Sequence, residues 1–378
     1  MAARLRRLFI YSIYVYSSVF FLALFMVFAD GVPPSANPLP GMPPVTNQND
    51  IYSYDRDNEL SPTVAKFISR VYVPNTESNS VDVIDPTTYK VVDHFRVGRL
   101  PQHVTPSWDL KSLWVLNDMG NSLTLIDPAT AKVKKTIPII DPYNMYYTPD
   151  GKYAIVVAEQ RRRLNFHDAA TMKMTHSLDV PCKGIDHMDF SANGRYLIAS
   201  CEFGGAVIKV DVEKQKVLGR LALPEGGMPQ DVKLSPDGKV FYVADMKNNG
   251  LHLIDGEEFK QESFLPTGKG AHGLYVSRDS RVLYVSNRGE GTISVVDLAT
   301  RKVAKKWELP GGGSPDMGGV SADGKVLWLS GRYNSEVYAI DTESGKLLAK
   351  IPVGHGPHGL CVYPQPGRYS LGHTGVFR

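Results

Sequence analysis

Seven times along this chain an alternating apolar strand ends in aspartate. The runs are V-D-V-I-D at Asp85, L-T-L-I-D at Asp127, L-N-F-H-D at Asp168 and V-I-K-V-D at Asp211. L-H-L-I-D at Asp255, I-S-V-V-D at Asp297 and V-Y-A-I-D at Asp341 complete the series. The successive steps are 42, 41, 43, 44, 42 and 44 residues. A period of about 40–45 residues with four strand signals per unit marks a propeller blade. One four-stranded sheet cannot cover both of its faces, whereas seven packed radially cover one another and leave only short edges. The expectation is an all-β, seven-bladed propeller over residues 63–378.

Each unit reads alike. A first strand such as D-V-K-L-S meets a P-D-G turn, in which glycine supplies the positive φ of a tight hairpin. A second strand such as V-F-Y-V-A follows, then the strand with the landmark Asp, then a fourth strand. The chain enters this phase mid-unit at R-V-Y-V-P-N (70–75) and leaves it on a first strand, H-G-L-C-V-Y (358–363). The last strand is therefore expected to complete the first blade. The following G-R-Y-S-L-G-H-T-G-V-F-R is longer than closure requires, and the repeat assigns it no role.

Y-V-P-N at Tyr72–Asn75, Y-V-S-N at Tyr284–Asn287, L-S-P-D-G-K at Leu234–Lys239 and T-I-S-V-V-D-L-A-T-R-K-V at Thr292–Val303 closely resemble the YVTN-type β-propeller repeat, of the YncE-like and surface-layer kind. The resemblance covers residues 70–364. It implies the fold and not an activity, because similar propellers carry different chemistry.

Arg4, Arg6 and Arg7 precede an uncharged stretch, Leu8–Ala29, long enough to cross a bilayer as a helix. Residues 1–30 read as a signal anchor or as a signal peptide cleaved near Ala29. The expected location is outside the cytoplasm, membrane-anchored or secreted. Residues 31–62 are crowded with proline and read as a linker that lifts the propeller off the membrane.

A net charge of +3 offers no electrostatic ground for nucleic-acid binding. Cys182, Cys201 and Cys361 form no C-x-x-C pair, so no zinc or redox motif is indicated. Cys182 precedes a first strand and Cys201 ends the next one, which places both on one face. Either a disulfide or two buried thiols fits there, and Cys361, mid-strand, packs as a small apolar residue. No C-x-x-C-H exists for covalent haem, and no glycine fingerprint or Walker loop for a nucleotide.

The first strands line the channel, and their starts define a mouth. Aligned on the turn, the ring positions are Gln102, Tyr143, Asp186, Gln230, His272, Asp316 and His358, all polar. The next positions include His103, His187 and Met317. Because consecutive strand residues point oppositely, at most one of the two rings is expected to face the axis squarely, although strand ends can splay, and His103 and His187 join the first ring only if the register shifts by one. His272, Asp316 and His358 fall on three adjacent blades, and two imidazoles with a carboxylate suit Zn, Cu or Fe. The alternative is a polar lining that hydrogen-bonds to backbone. Second-strand ends at Asn75, Asn117, Glu159, Glu202, Asp245, Asn287 and Arg332 form the outer rim, beside Arg161–Arg163, a solvated turn or an anion contact.

Two functions are open at this level. One is a monomeric binding or scaffold propeller of the cell envelope that engages a protein, glycan or small ligand at the mouth. The other is a metal- or cofactor-dependent oxidoreductase or lyase with its site at the same mouth.

Overall fold

A computed structural model describes residues 37–373 and 375–378. Residues 1–30, read from sequence as a signal anchor or signal peptide, and residues 31–36 lie outside these. Seven antiparallel four-stranded sheets form a ring. The first blade is built from both ends of the repeat: Cys361–Tyr363 lies innermost, beside Arg70–Asn75, Ser80–Asp85 and Lys90–Arg96. Closure therefore runs through Arg70↔Tyr363, Val71↔Val362 and Tyr72↔Cys361. Innermost strands of the other blades are Pro101–Pro106, Asn144–Tyr147, Ile185–Phe190, Pro229–Leu234, Ala271–Val276 and Pro315–Val320. Apolar side chains fill the gaps between sheets, as with Ile293, Leu327, Leu329 and Tyr338 between the sixth and seventh blades. No helix among the described residues is long and apolar enough to cross a membrane.

The landmark aspartates recur because each one organises its own turn. A carboxylate oxygen of every one accepts a backbone N–H two or three residues on, from Thr87, Ala129, Thr171, Lys214, Glu258, Thr300 and Ser344, at 2.7–3.0 Å. This is the Asx-turn chemistry that favours aspartate there.

The proline-rich segment, from residue 37 on, does not stand off the propeller. It runs past the first hairpins of four successive blades. Leu39 N–H donates to Asn193 O (2.7 Å) and Ile51 N–H to Pro236 O (2.9 Å). Arg56 Nη1 donates to Arg278 O (2.7 Å) and Asn58 N–H to Ala322 O (2.8 Å). Leu39, Ile51, Tyr52 and Val64 are buried in the gaps between blades. Widely spaced anchors suffice here, because proline-rich backbone is pre-extended and has few N–H groups to satisfy.

The tail also has a definite place. It enters the channel as a hairpin, with Leu371 N–H bonded to Val376 O (2.8 Å) and a bridge between Ser370 and Phe377. One arm lies along the innermost strand of the third blade: Tyr147 N–H donates to Leu371 O (2.8 Å) and His373 N–H to Met145 O (3.1 Å). A Cβ on Gly372 would lie 2.5 Å from Met145 O, so only glycine passes there. Cys182 and Cys201 form a disulfide with Cα atoms 5.3 Å apart, and Cys361 is a buried free thiol.

Candidate metal site at the channel mouth

Alternation along the inner strands fails where it was expected to hold. The register shifts between Pro101 and His103, Ile185 and Met188, Pro229 and Val232, Ala271 and Leu274, and Pro315 and Gly318. A bulge places two residues opposite one, so both residues of a pair turn toward the axis. Serines of the second strands fill three of the bulges. The hydroxyls of Ser200, Ser286 and Ser330 accept the N–H of His187 (3.0 Å), Gly273 (2.8 Å) and Met317 (3.3 Å). In these three blades the serine, as in Y-V-S-N, is a sequence signal for the bulge, whereas Leu116 and Ala244 stand at that position beside the other two. Gln102, His103, Asp186, His187, Gln230, His272, Asp316 and His358 are all buried around the axis, with Tyr143 half-buried against the rings of His103 and His187.

Two groups of three donors, each within 4.8 Å of one another, stand out among the described residues: His272–Asp316–His358 and His103–His187–His373. The first is the set expected from sequence. The second uses His373, which the tail carries into the channel and which the repeat could not have placed.

The two groups differ in what already occupies their donors. Asn144 Oδ1 accepts Met145 N–H (2.8 Å), which fixes its amide. Its Nδ2 then donates to Nδ1 of His187 (3.0 Å) and of His373 (3.1 Å). Asn144 thus ties His187 to His373 and pins the tail, while His187 Nε2 and the third member, His103, find no protein hydrogen bond. In the first group His272 Nδ1 lies 3.1 Å from Asp316 Oδ1, and His358 Nε2 lies 3.5 Å from Asp316 Oδ2. Arg288 Nη1 bonds Asp316 Oδ1 at 3.0 Å, orienting the carboxylate. Asp316 Oδ2, His358 Nδ1 and both ring nitrogens of His103 are buried without a hydrogen-bond partner. The His103 ring sits 4.8 Å from that of His358, in space left by Gly359, whose Cβ would lie 1.9 Å from His103 Nδ1.

Burial sets the protonation states. It pushes His272, His358 and His103 well below the ordinary imidazole value, and the cations Arg288 and Arg332 act in the same direction on His272 and His358. Neutral imidazole is the ligand form. Burial also raises Asp316, against Arg288 and Arg332, and raises Asp186, with Glu202 and Glu159 adding to it. Glu159 is pushed up to about 7 by burial and by Glu202. Acidic groups thus gather on the third and fourth blades, and guanidinium groups on the sixth and seventh.

Some rim residues named from sequence belong elsewhere. Asn75, Asn117 and Asn287 turn into their own blades, donating to Asp82 (2.9 Å), Thr124 (3.0 Å) and Ser294 (3.0 Å). Asp245 likewise meets His252 at 3.0 Å. Arg288, one residue past Asn287, is the rim group that reaches the site. Arg161–Arg163 form an exposed turn, where Arg163 pairs with Asp179 at 2.9 Å.

The sequence model of the YncE-like β-propeller family matches residues 59–367. The chain belongs to that family. It is 26% identical over 221 residues to YncE of Salmonella typhi, a match covering 53% of this chain and 59% of that protein. The matched part thus spans less than two thirds of that relative. Antigen Lp49 of Leptospira interrogans is 24% identical over 85% of this chain and 76% of its own. In structure the chain is similar to hydrazine synthase of Kuenenia stuttgartiensis (TM-score 0.64, 20% identity, 72% of this chain and 92% of that one). It is also similar to the dihydro-heme d1 dehydrogenase NirN (TM-score 0.61, 16% identity, 78% and 75%). At such identities these likenesses concern the fold.

Proposed function

We propose that this protein is a metal-holding propeller of the cell envelope, binding one transition-metal ion at the channel mouth through His272, Asp316 and His358. The observation that carries the reading is the set of orphaned donors around that group. Asp316 Oδ2 and His358 Nδ1 are buried and have no hydrogen-bond partner. Buried polar atoms are rarely left so, and each one calls for a water or an ion. Two neutral imidazoles and one carboxylate match the donors of transition metals rather than the all-oxygen shells of calcium or magnesium. Arg288 supports the carboxylate in the manner of an outer-shell partner. The Cys182–Cys201 disulfide fits an oxidising compartment, in line with the targeting segment read from sequence. A binding protein is the fitting class, because the donors are fully buried.

Metal analysis of purified protein after exposure to Zn(II), Cu(I) or Fe(II) and desalting tests this. About one equivalent is expected in the wild type, falling below a tenth in His272→Gln and in His358→Gln, with circular dichroism reporting that both variants fold. Failure of the wild type to retain any of the three metals overturns the reading.

A further inference from the structure

The fourth donor around this group is a sulfur. Met317 Sδ lies 3.0 Å from His272 Nδ1, and Met317 is fully buried. The bulge at Pro315–Gly318 turns Asp316 and Met317 into the channel together, with Ser330 holding the Met317 N–H. We infer that the metal is copper, bound in its cuprous state by His272, His358, Asp316 and the thioether of Met317. This rests on the metal reading above and names the ion.

Three physical arguments converge on it. Thioether sulfur is a soft donor that selects Cu(I), whereas zinc sites draw on thiolate, imidazole and carboxylate. On the side of the chamber that holds Asp316 the fixed charges are cationic, which favours the ion of lower charge: Arg288 Nη1 is 3.0 Å from Asp316 Oδ1, and Arg332 acts on the same carboxylate. A cuprous ion with one carboxylate is neutral overall, whereas a dication would leave net positive charge beside two guanidinium groups in a buried chamber. The donor count also matters. With Met317 the set reaches four, so no position stands open for substrate, as befits holding or transferring an ion rather than hydrolysis.

The test compares Cu(I) and Zn(II) affinities, by anaerobic competition against a chromogenic chelator, for wild type, Met317→Leu and His272→Gln. Leucine conserves volume and removes only the donor sulfur. The expected result is at least a tenfold loss of Cu(I) affinity in Met317→Leu, with Zn(II) affinity within threefold of wild type, and loss of both metals in His272→Gln. A sulfur shell in the copper X-ray absorption spectrum of the wild type should vanish in Met317→Leu. Unchanged Cu(I) affinity in Met317→Leu, with binding still lost in His272→Gln, overturns the thioether assignment while leaving a metal site. Failure of the wild type to bind either ion overturns both readings.

Discussion

Replacing Arg378 by methionine should destabilise the whole propeller, because this residue joins three separate segments. Its Nη2 lies 2.9 Å from Asp189 Oδ1, with side-chain exposures of 7% and 0%. Its guanidinium also stacks 4.6 Å from the ring centre of Tyr52, on the proline-rich segment. Asp189 in turn accepts Leu234 N–H at 2.8 Å, tying the fourth blade to the fifth. Breaking a buried pair from one side leaves an uncompensated charge and costs about 3–5 kcal/mol. Asp189 would keep two backbone donors, Phe190 N–H and Leu234 N–H, which sets the expectation at the lower end, about 3 kcal/mol. Unfolding entropy of about 2.1 cal/mol/K per residue gives roughly 0.7 kcal/mol/K for a domain of this size, hence a Tm lower by about 4 °C. Calorimetry of wild type, Arg378→Met, Asp189→Asn and the double variant measures it. The double variant should lose less than the sum of the single ones, since removing both charges leaves none unpaired. A Tm drop below 1 °C in Arg378→Met, or strict additivity, refutes the reasoning.

Gly359→Ala should displace His103 and weaken metal retention, with an overpacking cost of about 1–3 kcal/mol, because the new Cβ would lie 1.9 Å from His103 Nδ1. Gly319→Ala, whose nearest contact would be Val362 at 3.6 Å, is the control, and equal effects of the two in metal analysis and thermal melts would sink the steric argument. Burial pushes Asp55 up to about 7, against Arg278 and Arg378. Its proton is held more tightly in the folded state, so the linked stability is full below about pH 4 and is lost as pH rises through about 7, by up to about 4 kcal/mol. Asp55→Asn should flatten the decline in urea midpoint between pH 5 and pH 8, and an unchanged slope would rule this group out.

The blade count was legible because each landmark Asp serves a turn within its own unit, so local chemistry repeats with the fold. His272, Asp316 and His358 were legible because the phase of the repeat locates the start of every inner strand. The bulges were not, since the repeat leaves a register shift that would bring in His103 and His187 only as a condition, and the cue lies on the neighbouring strand, in Ser200, Ser286 and Ser330. Met317 was in view at the next position, but only the bulge turns its sulfur toward His272. The proline-rich segment misled because its few apolar residues anchor far apart, each in a different gap between blades. The tail carries no repeat, so nothing local could place His373 beside His103 and His187.

Ring closure and site assembly are one event in this fold. His272, Asp316 and His358 lie on the sixth, seventh and first blades, and the first blade exists only when the C-terminal strand returns to Arg70–Asn75. That seam is the shortest innermost pairing, three residues where the other blades use four to six. Such a seam is where a ring should open first, because local opening follows the weakest contacts. Two features offset it. The tail hairpin buries Leu371, Val376 and Phe377 in the channel and is pinned by Asn144 through His373. An ion shared by His358 and Asp316 would bridge the first and seventh blades directly. Because its donors converge only in the closed ring, binding would stabilise that form by about 2.7 kcal/mol at a hundredfold excess over Kd. The metal reading therefore gives the short closing strand a partner at the point where two ends of one chain must stay together.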